Sequence, residues 1–123
     1  MLTIPTKITF FEFLTPFVAA GLKTITIRDR SESHYVVGSQ VEVFTLETNQ
    51  KVCDIEIVAV EPIRFDEINQ YHARQEHLEL PRLKALIREV YPDTDELFVV
   101  TFTLSSVAEP NPSEFSHQRV AAL

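Results

Sequence analysis

The chain has 123 residues, of which 45% are hydrophobic and 24% are charged, values typical of one soluble globular domain. Its formal net charge of −7 disfavours a long nucleic-acid footprint, because proteins that bind polyphosphates usually present a basic face. A small nucleoside without phosphates is compatible with that charge. No apolar run is long enough to span a membrane and residues 1–5 do not resemble a signal peptide, so a cytoplasmic location without a membrane partner is predicted.

The first predicted elements are a strand over 7–10 and a short helix that ends before Gly21. Apolar residues recur at helical spacing between Phe10 and Val18, which indicates that they fill one end of the core. Pro16 fits the first position of the short helix, with the residue before it as the N-cap. Gly21 is typical of a helix stop.

The chain is organised around the stretch 21–35, in which residues 24–28 read Thr-Ile-Thr-Ile-Arg. Its alternation predicts a strand with both isoleucines toward the core and both threonines and the arginine on the other face. Lys23 lies in the turn before the strand, so its ammonium can approach the hydroxyl of Thr26 and the guanidinium of Arg28. Two interpretations stay open at this point: the solvated face of an edge strand, or a functional site.

Three further strands are predicted at 40–46, 51–60 and 97–104. Two helical segments lie before the last of these strands, and the later segment carries a regular apolar stripe. Strands of this length with few helices between them predict an α+β fold, built as a small closed or nearly closed antiparallel β-barrel with flanking helices.

One domain is expected over residues 6–104, followed by a flexible C-terminal tail at 105–123 that is rich in polar residues and proline. The chain has a single cysteine, Cys53, and it lies in an apolar strand. It cannot form an internal disulfide, and an inert core thiol in a reducing compartment is predicted.

Glu76 is unusual because it follows an apolar stripe formed by Phe65, Ile68 and His72 at roughly helical spacing. Carboxylates are rarely buried without a partner. One interpretation is a helix-end carboxylate that pairs with Arg74. In the other, Glu76 faces a dry pocket and could serve as a general acid near neutrality.

Neither a metal nor a cofactor is predicted. His72 and His77 are five residues apart, which does not place two ligands on one helix face, and His34 and His117 lie in polar segments. The sequence contains no glycine-rich phosphate loop and no nucleophile elbow around a serine.

Several stretches together resemble the N4-acetylcytidine amidohydrolase family of small ASCH-domain proteins, whose fold is PUA-like. The resemblance runs from about Ile8 to Leu104, and the stretches that carry it are Ile8–Phe11, Ala20–Asp29, Ser31–His34, His72–Glu76 and Ile87–Pro92. It implies hydrolysis of the acetyl amide on the exocyclic nitrogen of cytidine, without a cofactor.

The resemblance also implies roles for particular residues. The family's lysine base falls on Lys23, its threonine nucleophile on Thr26 and its glutamate proton donor on Glu76. Apart from the resemblance, Arg28 is expected to bind the substrate, since either Arg28 or backbone N–H groups near the turn could hold the developing oxyanion. Because Lys23 and Thr26 are an odd number of residues apart, a regular strand through both would place them on opposite faces. The mechanism therefore requires Lys23 to lie outside the regular strand.

Two other functions stay open at the level of sequence. PUA-like barrels resemble RNA-binding modules, so a non-catalytic RNA or nucleoside reader is the main alternative. An interaction domain with an incidental pocket is the second. The net charge and the presence of a lysine, a threonine and a glutamate suited to acyl transfer favour the enzyme with a small nucleoside substrate.

Overall fold

The computed structural model describes residues 4–107, which form one five-stranded sheet and three α-helices. The strands are β1 (Lys7–Phe10), β2 (Ile25–Arg28), β3 (Gln40–Thr45), β4 (Lys51–Arg64) and β5 (Glu96–Val107). The helices are α1 (Thr15–Ala19), α2 (Gln70–Glu76) and α3 (Leu80–Val90). Within this part of the chain no helix has the length and apolar character needed to cross a membrane.

The sheet has the order β1-β3-β4-β5-β2, so β1 and β2 form its two edges. The predicted α+β class with flanking helices is confirmed, with two corrections to the predicted antiparallel barrel. The β1–β3 pair is parallel, so the sheet is mixed, and no ladder of backbone hydrogen bonds joins the two edge strands in the described residues. Instead, the Arg28 side chain of β2 donates a hydrogen bond to the backbone oxygen of Thr9 in β1, at 2.7 Å. The two edges therefore face each other across a gap, and that gap holds side chains.

The interior has two groups of buried apolar side chains. The first group lies around α1 and strands β1, β3, β4 and β5, and its aromatic members are Phe10, Tyr35 and Phe102. The second group joins β2 and β5 to helices α2 and α3, through Ile25, Ile27, Ile68, Leu83, Ile87 and Leu97. The inward direction of both β2 isoleucines is thus as predicted.

Helix α2 is shorter than the apolar stripe predicted, because the stripe is interrupted. Phe65 belongs to a separate 3₁₀ turn, Phe65–Glu67, and the backbone is extended at Ile68 and Asn69. The Asn69 side chain accepts a hydrogen bond from the Tyr71 backbone N–H at 2.8 Å, so Asn69 is the N-cap at which α2 begins. The helix ends at His77, whose φ of 61° lies in the left-handed region.

Strand β5 continues three residues beyond its predicted end at Leu104 and pairs with β4 as far as Val107. Asp54 lies opposite Ser106 and accepts a hydrogen bond from its hydroxyl at 2.8 Å. Residues 105–107 therefore extend the sheet. The rest of the predicted tail, residues 108–123, lies outside the described residues.

Cys53 should be unreactive toward a thiol reagent such as DTNB in the native protein. Its side chain is fully buried in the first core group, and burial raises its pKa to about 11. The thiolate, which is the reactive form, is therefore both scarce and inaccessible. We expect a full equivalent of thiol to react in denaturant and almost none in native buffer, as measured by release of the thionitrobenzoate chromophore. Rapid reaction of the native protein would contradict the burial of this strand.

Candidate active site

Lys23 lies in the turn that leads from α1 to β2. The backbone N–H groups of Leu22 and Lys23 both donate to the carbonyl oxygen of Phe17, at 2.9 and 3.1 Å, after Gly21 has reversed the chain with a φ of +74°. Strand β2 begins at Ile25, so Lys23 is outside the regular strand. The structural condition for Lys23 and Thr26 to face one site is therefore met.

The C-terminal end of α2 is attached to this turn by consecutive contacts. The Thr24 backbone N–H donates to the carbonyl oxygen of Gln75 at 2.9 Å, and the Thr24 hydroxyl donates to the Gln75 side chain at 2.5 Å. The Lys23 ammonium nitrogen Nζ contacts Oε1 of Glu76 directly. Lys23 thus contacts Glu76 and Thr24 contacts Gln75. These contacts place the carboxyl group of Glu76 opposite the Lys23 ammonium group.

Lys23 and Glu76 form a buried pair, with only 2% and 4% of each residue exposed. The interpretation in which Glu76 pairs with Arg74 is wrong, since Glu76 bonds Lys23 and Arg74 is exposed. Nζ also donates to the backbone oxygen of Ile25 at 2.8 Å. Burial, and then the nearby charge of Arg28, lower the pKa of Lys23 well below its ordinary value.

Thr26 and Arg28 are also buried, at 4% and 8% exposure, so the polar face of β2 is not the solvated face of an edge strand. Arg28 Nε donates to the hydroxyl oxygen of Thr26 at 2.8 Å, and Nη1 donates to a carboxylate oxygen of Glu32 at 2.7 Å. With Nη2 on Thr9, three nitrogens of the guanidinium each hold a different partner. The guanidinium is therefore fixed against Thr26.

The two cations lie beside one aromatic ring. Nζ of Lys23 and Cζ of Arg28 are 5.3 and 4.9 Å from the ring centroid of Phe10. An arginine side chain does not lose its proton in proteins, whereas a lysine can. Of these two neighbouring buried cations, the lysine is the one that can become neutral, and its neutral form can accept a proton.

A single cavity brings the four predicted site residues together. Lys23, Thr26, Arg28 and Glu76 line it together with Glu32, and its apolar lining comes from the segment 10–14, from α3 and from Ile27, Leu46 and Leu78. The Thr26 hydroxyl and Lys23 Nζ are not hydrogen-bonded to each other in the described residues. Transfer of a proton between them requires a small movement of the lysine or a bridging water molecule.

Glu32 and Tyr91 line the same cavity and were not predicted as site residues. The Tyr91 hydroxyl donates to the second carboxylate oxygen of Glu32 at 3.1 Å. The two residues are 59 positions apart in the sequence, so no local pattern could have predicted their contact. The aromatic platform of Phe10 was predicted only as core.

The histidines are separated in the structure. His72 accepts a hydrogen bond from the Asn69 backbone N–H at 3.1 Å and supports the start of α2, and burial lowers its pKa. His34 and His77 are exposed, and His117 lies outside the described residues. Among residues 4–107 no group of three histidine, cysteine or acidic side chains is placed to hold a metal ion. Metal independence stays a prediction.

Comparison with known proteins identifies the family. The model of the ASCH domain matches residues 7–78, more than half of the chain. A Vibrio cholerae protein named N(4)-acetylcytidine amidohydrolase is 68% identical over 104 residues, which cover 85% of this chain and 99% of that protein. Proteins of the same name from Vibrio parahaemolyticus and Vibrio vulnificus are 68% identical over 100 residues and 48% identical over 101 residues, covering 81% and 82% of this chain and 94% and 97% of their own lengths.

Solved structures support the fold. The ASCH protein from Zymomonas mobilis superposes with a TM-score of 0.68 at 11% identity, covering 93% of this chain and 78% of that chain. The ASCH domain from Lactobacillus crispatus superposes with a TM-score of 0.67 at 13% identity, covering 82% of this chain and 80% of that chain. At these identities the likeness shows the fold alone. Fold, family model and sequence relatives agree, and the chain belongs to the ASCH domain family and, within it, to the group of relatives named N(4)-acetylcytidine amidohydrolase.

Proposed function

We propose that this protein hydrolyses the acetyl amide of N4-acetylcytidine to give cytidine and acetate, with Thr26 as nucleophile, Lys23 as base and Glu76 as proton donor. The hydrolase class follows from the high identity to relatives of that name over most of the chain. The observation that carries the residue assignment is the buried Lys23–Glu76 pair in the same cavity as the Thr26 hydroxyl.

In the first step, Thr26 Oγ1 attacks the acetyl carbon while its proton passes to the neutral amine of Lys23. A lysine of lowered pKa is suited to this step, because its neutral form is present nearer to neutral pH. The Ile25 backbone oxygen and Glu76 occupy two of the positions around Nζ. The nitrogen of a neutral amine is tetrahedral, so its lone pair occupies a remaining position, where it can accept the proton of Thr26.

In the second step, the tetrahedral intermediate breaks its bond to N4 of cytidine, and that nitrogen receives a proton from Glu76. The direct contact between Lys23 and Glu76 lets the pair act as one unit, which takes a proton from Thr26 and returns it to the leaving nitrogen. Water then attacks the acetyl carbon of the ester on Thr26 and passes a proton to Lys23. The bond from that carbon to Thr26 Oγ1 breaks, and Lys23 returns the proton to the oxygen. The products are acetate and the free hydroxyl, so the reaction consumes one water and leaves the site unchanged.

Arg28 supports the nucleophile in this proposal. Its Nε donor already points at Thr26 Oγ1, so it stabilises negative charge that develops on that oxygen as the proton leaves. The substrate-binding role expected for Arg28 is compatible with this contact, because Arg28 lines the cavity. The apolar wall from α3 offers a surface for the face of the pyrimidine ring.

Incubation of the purified protein with N4-acetylcytidine tests the proposal. We expect conversion to cytidine, measured by the change in ultraviolet absorbance and by chromatography, and we expect the rate to survive exhaustive chelation with EDTA. Loss of turnover on chelation with recovery on adding zinc would contradict the cofactor-free mechanism. If the protein bound N4-acetylcytidine but formed no cytidine, the result would instead favour a non-catalytic nucleoside reader.

A further inference from the structure

Glu32 joins the end of α3 to the arginine that holds the proposed nucleophile. One of its carboxylate oxygens accepts from Arg28 Nη1 at 2.7 Å, and the other accepts from the Tyr91 hydroxyl at 3.1 Å. Arg28 in turn donates to Thr26. A continuous chain of hydrogen bonds therefore runs from Tyr91 through Glu32 and Arg28 to Thr26 along the cavity wall.

Glu32 and Tyr91 belong to elements that are far apart in the sequence. Glu32 ends the 3₁₀ turn Arg30–Glu32, whose start is capped by the Asp29 side chain accepting from the Ser31 backbone N–H at 3.0 Å. Tyr91 is the first residue after α3, and its backbone N–H donates to Ile87 at 2.7 Å. The contact between Glu32 and Tyr91 thus joins the loop after β2 to the helix that covers the cavity.

We propose that Glu32 is a positioning residue for the acyl transfer, which keeps the Arg28 guanidinium at the angle where Nε meets Thr26; this inference rests on the function proposed above. A guanidinium is planar, so holding two of its nitrogens fixes the direction of the third. The carbonyl oxygen of Thr9 holds Nη2 and Glu32 holds Nη1. Removing Glu32 leaves Thr9 as the one hydrogen-bond partner besides Thr26, so that the guanidinium can turn away from Thr26.

The negative charge of Glu32 also helps to hold the Arg28 guanidinium in place. The Arg28 side chain is only 10% exposed, and Glu32 is its one salt-bridge partner in the described residues. The Glu32 side chain is 37% exposed, so the carboxylate can balance the buried guanidinium while it stays partly hydrated. Glu32 has no hydrogen bond to Thr26 in the described residues, so its effect on the nucleophile passes through Arg28.

Glu32→Ala should lower kcat for N4-acetylcytidine by roughly 10- to 100-fold, the usual effect of losing a partner that orients a reacting group, with KM within about twofold. Glu32→Gln keeps an oxygen acceptor for Nη1, so it should recover part of that loss. In an Arg28→Lys background, Glu32→Ala should add little, because both changes act on the same contact. Glu42→Ala is the matched control, since it removes a glutamate whose 2.7 Å bond to Lys51 lies outside the cavity, and its kcat should equal that of the wild type.

A second measurement separates this inference from the proposed function. The Nε–H proton of Arg28 should exchange slowly with solvent in the wild type, and NMR should show faster exchange in Glu32→Ala but not in Glu42→Ala. Unchanged exchange, an unchanged kcat in an active enzyme, or a raised KM with normal kcat would each overturn the positioning role. If the wild type failed to hydrolyse N4-acetylcytidine, the proposed function would fall, while the exchange measurement would still decide whether Glu32 orients Arg28.

Discussion

Thr26→Ala should lower kcat for N4-acetylcytidine by roughly a thousandfold or more, the usual result of removing the nucleophile from an acyl-transfer site. The Thr26 hydroxyl oxygen is 2.8 Å from Arg28 Nε and lines the cavity with Lys23 and Glu76, whereas alanine offers no oxygen that could attack the acetyl carbon. Thr26→Ser keeps the oxygen and should retain much of the activity. The measurement is steady-state turnover of each folded variant.

Stability must be measured beside activity, because the alanine variant leaves Arg28 Nε without its partner. An unpaired buried donor costs about 1–3 kcal/mol, so Thr26→Ala should unfold at lower denaturant concentration than the wild type. Thr45→Ala is the matched control, since Thr45 is 5% exposed, bonds through its hydroxyl and lies outside the cavity. It should lose stability and keep activity. A folded Thr26→Ala protein with near-normal turnover would mean that water, not threonine, attacks the acetyl carbon.

The alternation in the stretch 23–28 was enough to predict which side chains of β2 share a face. Thr26 and Arg28 do share the cavity, and Lys23 joins them from the turn. The alternation could not show whether the polar face of β2 meets solvent or lines a site, because the pattern has period two in either case. What decides is the covering of this edge strand by β1, by the end of α2 and by the end of α3, whose contacts join residues far apart in the sequence.

The closed or nearly closed antiparallel barrel was predicted from the lengths of the strands and from their hairpins, which report local pairing. Strands β3 to β5 pair with sequence neighbours and are antiparallel, as expected. The parallel pairing of β1 with β3 joins segments about a third of the chain apart, and nothing in either strand specifies its direction. Each edge strand has only four residues, and a side chain of Arg28 crosses the gap between them in place of a backbone ladder.

Glu76 shows how an exception to a pattern can indicate a site. A carboxyl group after an apolar helical stripe needs a partner, and that much was visible in the sequence. The identity of the partner was not, since Lys23 is 53 residues away and Arg74 is two residues away. The nearer cation is exposed because a residue two positions along a helix points to a different face.

Lys23→Met should lower kcat for N4-acetylcytidine by roughly a thousandfold or more, because it keeps the aliphatic volume and removes the base. In the wild type, kcat/KM should rise with pH as Lys23 loses its proton, at a pH well below the ordinary lysine value because burial and Arg28 lower its pKa. Lys51→Met is the matched control, since Lys51 is bonded to Glu42 and Asp54 and lies outside the cavity. Its activity should match that of the wild type.

The same lowered pKa predicts how stability depends on pH. Lysine in the unfolded chain has a pKa of about 10.4, above that of Lys23 in the folded protein, so between the two values the unfolded state binds more protons. The contribution of Lys23 to the free energy of unfolding therefore rises with pH across that window, and it is smallest below the folded pKa. Denaturant unfolding from about pH 7 to about pH 10 should show this rise in the wild type and in Lys51→Met, but a flatter profile in Lys23→Met. A folded Lys23→Met protein that kept both the pH profile and the turnover of the wild type would exclude Lys23 as the base and leave Glu76 as the proton acceptor.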